Sequence, residues 1–497
     1  MKKFEFIKPE QSMRVEAAMD KHRVTRLLTD YGALAFCYGL FLFLYDLPVL
    51  QDVIEGAHLA LIGWAGLLTV YSIVVRRLWE KLPMWQPLVV FVVVGGITAV
   101  LNRQVGLVTN LKAWVLAMLP LAAFLPLCLS CEKSQREKKL LTAFSGGAAV
   151  MLVASAIAIV MYLLRISTAV APFGNAHMVG LRYYIPDDPE SGILLYGLYG
   201  DTNHAAAYAV VCMAYCVWVL HAHRRRVVGK GMQVFAIVNL AVQACYFPLA
   251  NSRGGWLCLV VAGVACVFLY CFCTRFGEMK ALKRFALSAV ASVLVMAAVC
   301  GGLLALRGGL SMVSRAILYT PPAQVEGAVT DLIPQAPEAE AQWGQQSMDV
   351  FEKTDDGFGA GRLIIWQEAL QLFGHKPILG TGPNNASFYA KLYDFGERLR
   401  DGFSLHNSFL DVLVYFGVAG FAALMTFFGY CVWLVLGRVF KAGKRLDGTT
   451  HLAAFSVVFL AGVSMFLSCA FINTTAMYFW MLCALSYLLA QCKDVKA

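Results

Sequence analysis

The chain has 497 residues, of which 59% are hydrophobic and 14% charged, with a formal net charge of +10 and a mean hydropathy of +0.65. That balance excludes an ordinary soluble globular protein and fits a chain whose solvent is largely lipid. The basic residues fall in short segments between apolar runs, as in the cytoplasmic loops of membrane proteins, which argues against a nucleic-acid surface.

Residues 1–28 carry Lys2, Lys3, Lys8, Arg14, Lys21, Arg23 and Arg26 with no apolar h-region or small-residue cleavage site. They read as a cytoplasmic N-terminal segment without a cleaved signal peptide. Apolar runs of about twenty residues, the length that crosses a hydrocarbon core, then recur near 29–49, 57–75, 84–101, 112–130, 141–164, 204–220, 232–250, 254–273, 285–306, 407–436, 450–470 and 473–491. The fold class expected is an all-α polytopic membrane protein of about twelve transmembrane helices. Spans one to nine occupy 29–306, a long extracytoplasmic loop occupies 307–406 between helices 9 and 10, spans ten to twelve occupy 407–491, and 492–497 form a cytoplasmic tail. The tenth run is long enough to tilt or bend. A cytoplasmic N-terminus puts the basic segments 76–81, 132–139, 223–226, 274–284 and 437–445 inside, together with the C-terminus, and with the N-terminal segment these hold most of the 41 Lys and Arg. The short external loops are nearly bare of positive charge.

All fifteen cysteines lie in or near apolar segments and none lies in 307–406, so a disulfide-stapled ectodomain is excluded. Cys271 and Cys273 form a C-x-C without a second ligand pair at metal-binding spacing, and they read as apolar packing.

Two external regions are long enough to act, 165–203 and 307–406. Within the second, 320–342 is rich in Pro, Ala, Gln and Glu and is expected to be mobile. Arg362 then opens a segment with Leu363, Trp366, Leu370 and Phe373 on one face, ended by Gly374 and Pro377. It reads as a short amphipathic helix lying on the membrane or the bundle.

Four constellations bear chemistry. In N-S-R-G-G-W (251–256), Arg253 falls in the first turn of a helix, where a guanidinium and free backbone N–H groups face anions and Gly254 and Gly255 allow close approach; an interfacial arginine reaching lipid headgroups has the same signature. In G-R-L-I-I-W (361–366) and P-I-L-G-T-G-P (377–383), Arg362 is paired with a Gly-rich turn that includes Gly382, an arrangement able to grip phosphate. In L-H-N-S-F-L-D (405–411), His406 and Asn407 precede the tenth span, and Ser408 with Asp411 has capping-box spacing. The helix dipole disfavours imidazolium there, leaving a neutral imidazole suited to a general base. In Y-G-L-Y-G-D-T-N-H (196–204), Asp201 or Asn203 caps the sixth span or binds a polar ligand.

Taken in order, G-x-x-N-x-x-A-x-Y (200–208), S-R-G-G (252–255), G-R-x-x-x-W (361–366), P-I-L-G-T-G-P (377–383) and H-N-S-F-L-D-V-L-V-x-x-G (406–417) resemble the O-antigen ligase and polymerase superfamily over about 197–420. The resemblance implies a GT-C-like, inverting glycosyltransferase that needs no metal or other cofactor. Its implied setting is the bacterial cytoplasmic membrane, its donor an undecaprenyl-pyrophosphate-linked glycan, and its acceptor a glycan, lipid or protein hydroxyl. It further implies that Arg253 and Arg362 grip the donor pyrophosphate and that His406 is the catalytic base, with Asp201, Asn203, Gly382 and Asn407 in support. The insertion before Arg362 exceeds what the shared motifs require. Membrane lipids are the only other partners expected. A transporter or lipid-linked glycan flippase is the competing class. It predicts polar groups within spans, of which Asp46 and Gln243 are the main ones, and no internal repeat supports it.

Overall fold

The computed structural model describes residues 9–19, 22–170, 177–183, 193–317, 360–441, 449–467 and 476–493. Two short helices, α1 (Pro9–Met19) and α2 (Arg23–Leu28), precede the bundle. Then come α3 (Tyr31–Tyr45), α4 (Pro48–Val74), the single turn α5 (Leu78–Lys81), α6 (Trp85–Leu101), α7 (Arg103–Phe124), α8 (Arg136–Leu163), α9 (Thr202–Arg224), α10 (Lys230–Leu249), α11 (Arg253–Tyr270) and α12 (Ala281–Ile317). After residues 318–359 follow α13 (Ala360–His375), α14 (Ala386–Leu392), α15 (Glu397–Arg400), α16 (Ser408–Lys441), α17 (Thr449–Leu467) and α18 (Ala476–Lys493). Among the described residues, eight helices are long and apolar enough to cross a membrane, and four shorter apolar helices fall in the remaining predicted spans. The chain is an all-α polytopic membrane protein.

The last helix is the innermost. Every residue from Ala476 to Ala490 is buried, as befits a helix that is apolar all round. Trp480 stacks on Phe144 of α8 with ring centres 5.0 Å apart and lies 5.1 Å from Phe43 of α3 and 5.8 Å from Tyr215 of α9. These rings bind α3, α8, α9 and α18 into the core. Gln243 of α10 accepts from Ser155 of α8 at 3.1 Å and donates to Asn239 at 3.0 Å, and Asn239 donates to the Ala148 carbonyl at 2.8 Å. This intraspan amide therefore pins two helices together within a satisfied network, which is how a bilayer interior tolerates polar groups. The C-x-C pair is buried in a π-helical turn, Cys271–Arg275, at the end of α11.

Three features depart from the sequence expectation. A three-stranded antiparallel sheet, β1 (Ser167–Val170), β2 (His177–Tyr183) and β3 (Ile193–Gly197), stands between α8 and α9. Its strands are short and lack a clean apolar alternation; they are held by burial of Leu181, Leu194 and Leu195 and by close contact of Gly197 with Ala158 of α8. Second, α12 runs past the expected boundary at 306 to Ile317, because Ser314 donates to the Leu163 carbonyl at 3.1 Å and holds the extra turns against the end of α8. Third, the buried face of α13 is Ile365, Glu368, Ala369 and Leu372, whereas Leu363 and Leu370 are exposed. With hydrophobic residues on nearly all sides, only tertiary contact decides which side of this helix the bundle covers. The stretch 320–342, expected to be mobile, lies outside the described residues.

The tenth span bends, and the bend organises the molecule. In α16, Gly417 sits at φ 64° and ψ −174°, a conformation essentially restricted to glycine. The break separates the Val414 and Tyr415 carbonyls from the amides of Val418 and Ala419, which an unbroken helix would pair. The loop 377–382 takes up all four groups. Thr381 N–H donates to Val414 at 3.0 Å and Gly382 N–H to Tyr415 at 2.9 Å, while Val418 N–H donates to Pro377 at 2.8 Å and Ala419 N–H to Ile378 at 3.2 Å. Approach is so close that a Cβ on Gly417 would lie 2.3 Å from the Ile378 carbonyl, and one on Gly380 2.5 Å from that of Tyr415. The other side of the loop is tied to α6 through Thr98 Oγ1, which donates to the Leu379 carbonyl at 2.7 Å.

Gly417→Ala is expected to destabilise the protein by at least about 1–3 kcal/mol from backbone strain alone, read as a lowered thermal midpoint in detergent. Gly437→Ala in the same helix, where a Cβ meets nothing within 4 Å, should leave the midpoint unchanged or raise it.

Candidate active site

The start of α9 is fixed from both sides. Tyr199, just after β3, shares a hydrogen bond with Ser155 of α8 at 3.1 Å. Asp201 then caps the helix, accepting from the amides of Asn203 at 2.6 Å and His204 at 3.2 Å. The start of α11 is capped by Ser252, whose hydroxyl accepts from Gly255 N–H at 3.0 Å and donates to Asn203 Oδ1 at 2.8 Å. One hydroxyl thus joins the N-termini of α9 and α11. Arg253 is the first residue of α11, as expected, and its side chain is partly buried there.

Arg362 reaches this junction from α13. A Cβ placed on Gly254 would lie 3.7 Å from Asn203 Oδ1 and 3.9 Å from Arg362 Nη2, so the missing side chain leaves room for the guanidinium beside the start of α11. The third N-terminus is that of α16. Its cap is Asn407, whose Oδ1 accepts from the amides of Phe409 at 3.1 Å and Leu410 at 3.2 Å. The capping-box expectation for Ser408 and Asp411 is corrected accordingly: the helix begins one residue earlier, and a buried asparagine caps it.

His406 precedes that cap in a left-handed backbone conformation, φ 50°. It is held against α13 because Trp366 Nε1, one turn after Arg362, donates to the Leu405 carbonyl at 3.0 Å. Burial pushes the His406 imidazole below the usual histidine range, and the positive charge of Arg362 and the neighbouring His204 add to the effect, while Asp201 opposes it. The imidazole is therefore neutral near pH 7, with an acid nearby that favours the imidazolium if it forms. Asp46, in the turn after α3, borders the same group. Its carboxyl accepts from Tyr208 at 2.6 Å, and burial pushes it up to about 6 against the lowering effect of that hydrogen bond.

Arg362, His406, Asp201, Asn203 and the first turn of α11 are thus gathered at one end of the bundle, with Asn407 setting the helix start beneath His406. Gly382 belongs instead to the backbone exchange with α16. Sequence reading missed His204, which carried no signal beyond its place after a helix cap. It also missed a polar cluster behind the loop: Lys376 Nζ donates to Asn102 Oδ1 and to the Tyr389 hydroxyl, each at 2.8 Å, and Asn385 Nδ2 donates to Asn110 Oδ1 at 3.0 Å. These partners lie in α7, in the turn before it and in α14, and no local spacing links them.

Residues 238–425 match the family model for O-antigen ligase. The chain carries an O-antigen ligase domain. The match supports the O-antigen ligase and polymerase superfamily and, broadly, a membrane enzyme of the glycan ligase or polymerase type. A search of curated proteins found no match to the chain. The O-antigen ligase domain includes Arg253, Arg362, the loop 377–382, His406 and the break at Gly417, whereas Asp201 to His204 precede it.

Arg362→Gln is expected to raise the His406 pKa, since a cation that disfavours imidazolium is removed, while burial keeps it below the ordinary value of about 6.5. Histidine NMR titration of the two proteins reads the shift. Trp366→Phe keeps the ring but loses a hydrogen bond worth about 1 kcal/mol, and a small fall in thermal midpoint is expected.

Proposed function

We propose that the chain is a metal-independent, inverting glycosyltransferase of the GT-C type. In this reading it moves a glycan from undecaprenyl pyrophosphate to an acceptor hydroxyl at the outer face of a bacterial cytoplasmic membrane, with both of its termini in the cytoplasm. The observation that carries the reading is the meeting of Arg362 and His406 among the N-termini of α9, α11 and α16. An anion is what such a place attracts, because helix dipoles add to the guanidinium charge.

The chemistry follows from the charges. The acceptor oxygen attacks the anomeric carbon from the side opposite the pyrophosphate, forming the new C–O bond as the old one breaks, with inversion. His406 takes the hydroxyl proton, and Asp201 stabilises the imidazolium produced. Negative charge building on the departing pyrophosphate is met by Arg253, Arg362 and the start of α11, a fixed electrostatic complement of the kind that lowers barriers most. The acceptor is a glycan, lipid or protein hydroxyl.

Purified protein reconstituted with a lipid-pyrophosphate-linked oligosaccharide and a candidate acceptor tests the reading. His406→Gln should lower transfer by about 10²–10⁴-fold, the usual worth of a general base, and Arg253→Ala and Arg362→Ala should weaken donor use. Unchanged transfer in all three would overturn the proposal, as would movement of the glycan-lipid across acceptor-free liposomes that is undiminished in His406→Gln. Because His406 acts when neutral and its pKa is lowered, kcat/KM should hold as pH falls below about 6.5 before its acid limb begins, and Arg362→Lys, which keeps the charge, should hold that limb lower than Arg362→Gln.

A further inference from the structure

At the end of the bundle that carries the candidate site, α8 and α12 run out side by side. Ser314 of α12 donates to the Leu163 carbonyl of α8 at 3.1 Å. The buried Tyr162 hydroxyl hydrogen-bonds Ser311 and lies within reach of the charges of Arg307, Arg165 and Arg315. Three guanidinium groups from two helix ends thus converge on one phenol. Ser155, which holds the start of α9 through Tyr199, lies one and a half to two turns earlier in α8, so the cluster stands roughly 10 Å farther along that helix than the nearest part of the candidate site.

The backbone does not ask for an arginine at 165. Ile166 N–H donates to the Met161 carbonyl at 2.8 Å and Arg165 N–H to that of Tyr162 at 3.2 Å, a closure of α8 that puts Arg165 at φ 51°, a left-handed position glycine fills more readily. Arg315 is exposed in the last turn of α12, whereas Arg307 lies more than two turns before its end and is only 7% exposed. Cations at helix C-termini complement the dipole, and that accounts for Arg165 and Arg315. It does not account for Arg307, a charge within an apolar helix, where such groups are costly and mark function. Nor do the magnitudes match, since two helix ends amount to about one negative charge against three guanidinium groups that keep their protons. The way in is open: half-buried Ser311 and Gly308, where a Cβ meets nothing within 4 Å, lie on the helix face between Arg315 and Arg307. Val160, Leu304, Met312 and Val313 are exposed around it, an apolar surface that suits acyl chains.

We propose that Arg165, Arg307 and Arg315 form a second anion site, which takes the phosphate of an anionic lipid headgroup and ties the ends of α8 and α12 together. Planar guanidinium forks bind phosphate oxygens in pairs, and three of them from two helices hold those helices to one headgroup. Soluble phosphate shares this chemistry, and the apolar surround favours the lipid.

The test uses the full chain, purified in detergent, stripped of lipid and titrated with phosphatidylglycerol, phosphatidylcholine or inorganic phosphate. Bound lipid is counted by native mass spectrometry and stability is read as the thermal midpoint. Phosphatidylglycerol is expected to raise the midpoint and to bind at least about fivefold more tightly than phosphatidylcholine, whose cation the arginines repel. Buried Arg307 is a poor first target because its loss can unfold the end of α12, so the two accessible arginines carry the test. Arg165→Gly and Arg315→Gln should each weaken phosphatidylglycerol binding by about fivefold, and the lipid-free midpoint of Arg165→Gly should hold or rise, since glycine suits that backbone. Arg253→Ala should leave lipid binding as it is. Displacement of the lipid by inorganic phosphate shows that the site also takes the soluble ion; a lipid that phosphate does not displace shows a site for the headgroup alone. Equal binding of the two lipids, binding lost in Arg253→Ala but kept in Arg165→Gly, or parental binding in both arginine variants, the result that dipole complementation alone would give, sinks the assignment.

Discussion

Four backbone hydrogen bonds between the loop 377–382 and the broken helix α16 hold the functional half of the molecule together. A helix interrupted within a membrane protein strands donors and acceptors that have no water to turn to, each at a cost of several kcal/mol in hydrocarbon. Here the loop replaces the missing partners one for one. The glycines on both sides of the seam are what let two backbones come this close. Since α13 ends at His375 and α16 begins at Ser408, the same seam sets where Arg362 and His406 stand, and the chain between them is only as free as those bonds allow.

Once the seam is in place, the electrostatics of the site follow from helix ends. Three helices begin at one place, each capped by a short polar side chain, Asp201, Ser252 or Asn407. Their caps satisfy some of the terminal amides and leave the dipoles aligned on a common volume. Arg362 adds full charge, and its effect on His406 couples the two side chains: the same cation that would face an anionic leaving group under the proposed mechanism helps keep the imidazole unprotonated. Under that mechanism anion binding and base strength are not independent, and a change in one is felt in the other.

The bundle's polar interior serves structure. Gln243, the intraspan amide that a transport pathway would have used, is spent on linking α8 and α10. Asp46 lies at the end of the bundle beside His204 and Asp201, not at mid-span. The polar cluster of Lys376, Asn102 and Tyr389 backs the seam from the side opposite α16, so the loop 377–382 is gripped between α6 and the tenth span.

Much of this was legible in the sequence where the physics is local. Twelve apolar runs specify twelve apolar helices because hydrocarbon thickness sets their length, and Arg253 in a first turn follows from S-R-G-G and the run after it. Asp201 as a cap is equally local. The motif P-I-L-G-T-G-P was visible as a Gly-rich turn, but its partner was not: the loop meets Thr98, 281 residues earlier in the chain, and a glycine in the middle of an apolar run, and no short-range pattern encodes either contact. The same reason explains the face of α13, the choice of Asn407 over Ser408 as cap, and the sheet at 167–197, each decided by which distant surface arrives to cover it. Sequence alone determined which segments cross and which residues carry charge at their ends; only tertiary packing decided that a helix would break at Gly417 and that the loop mending it would bring Arg362 to His406.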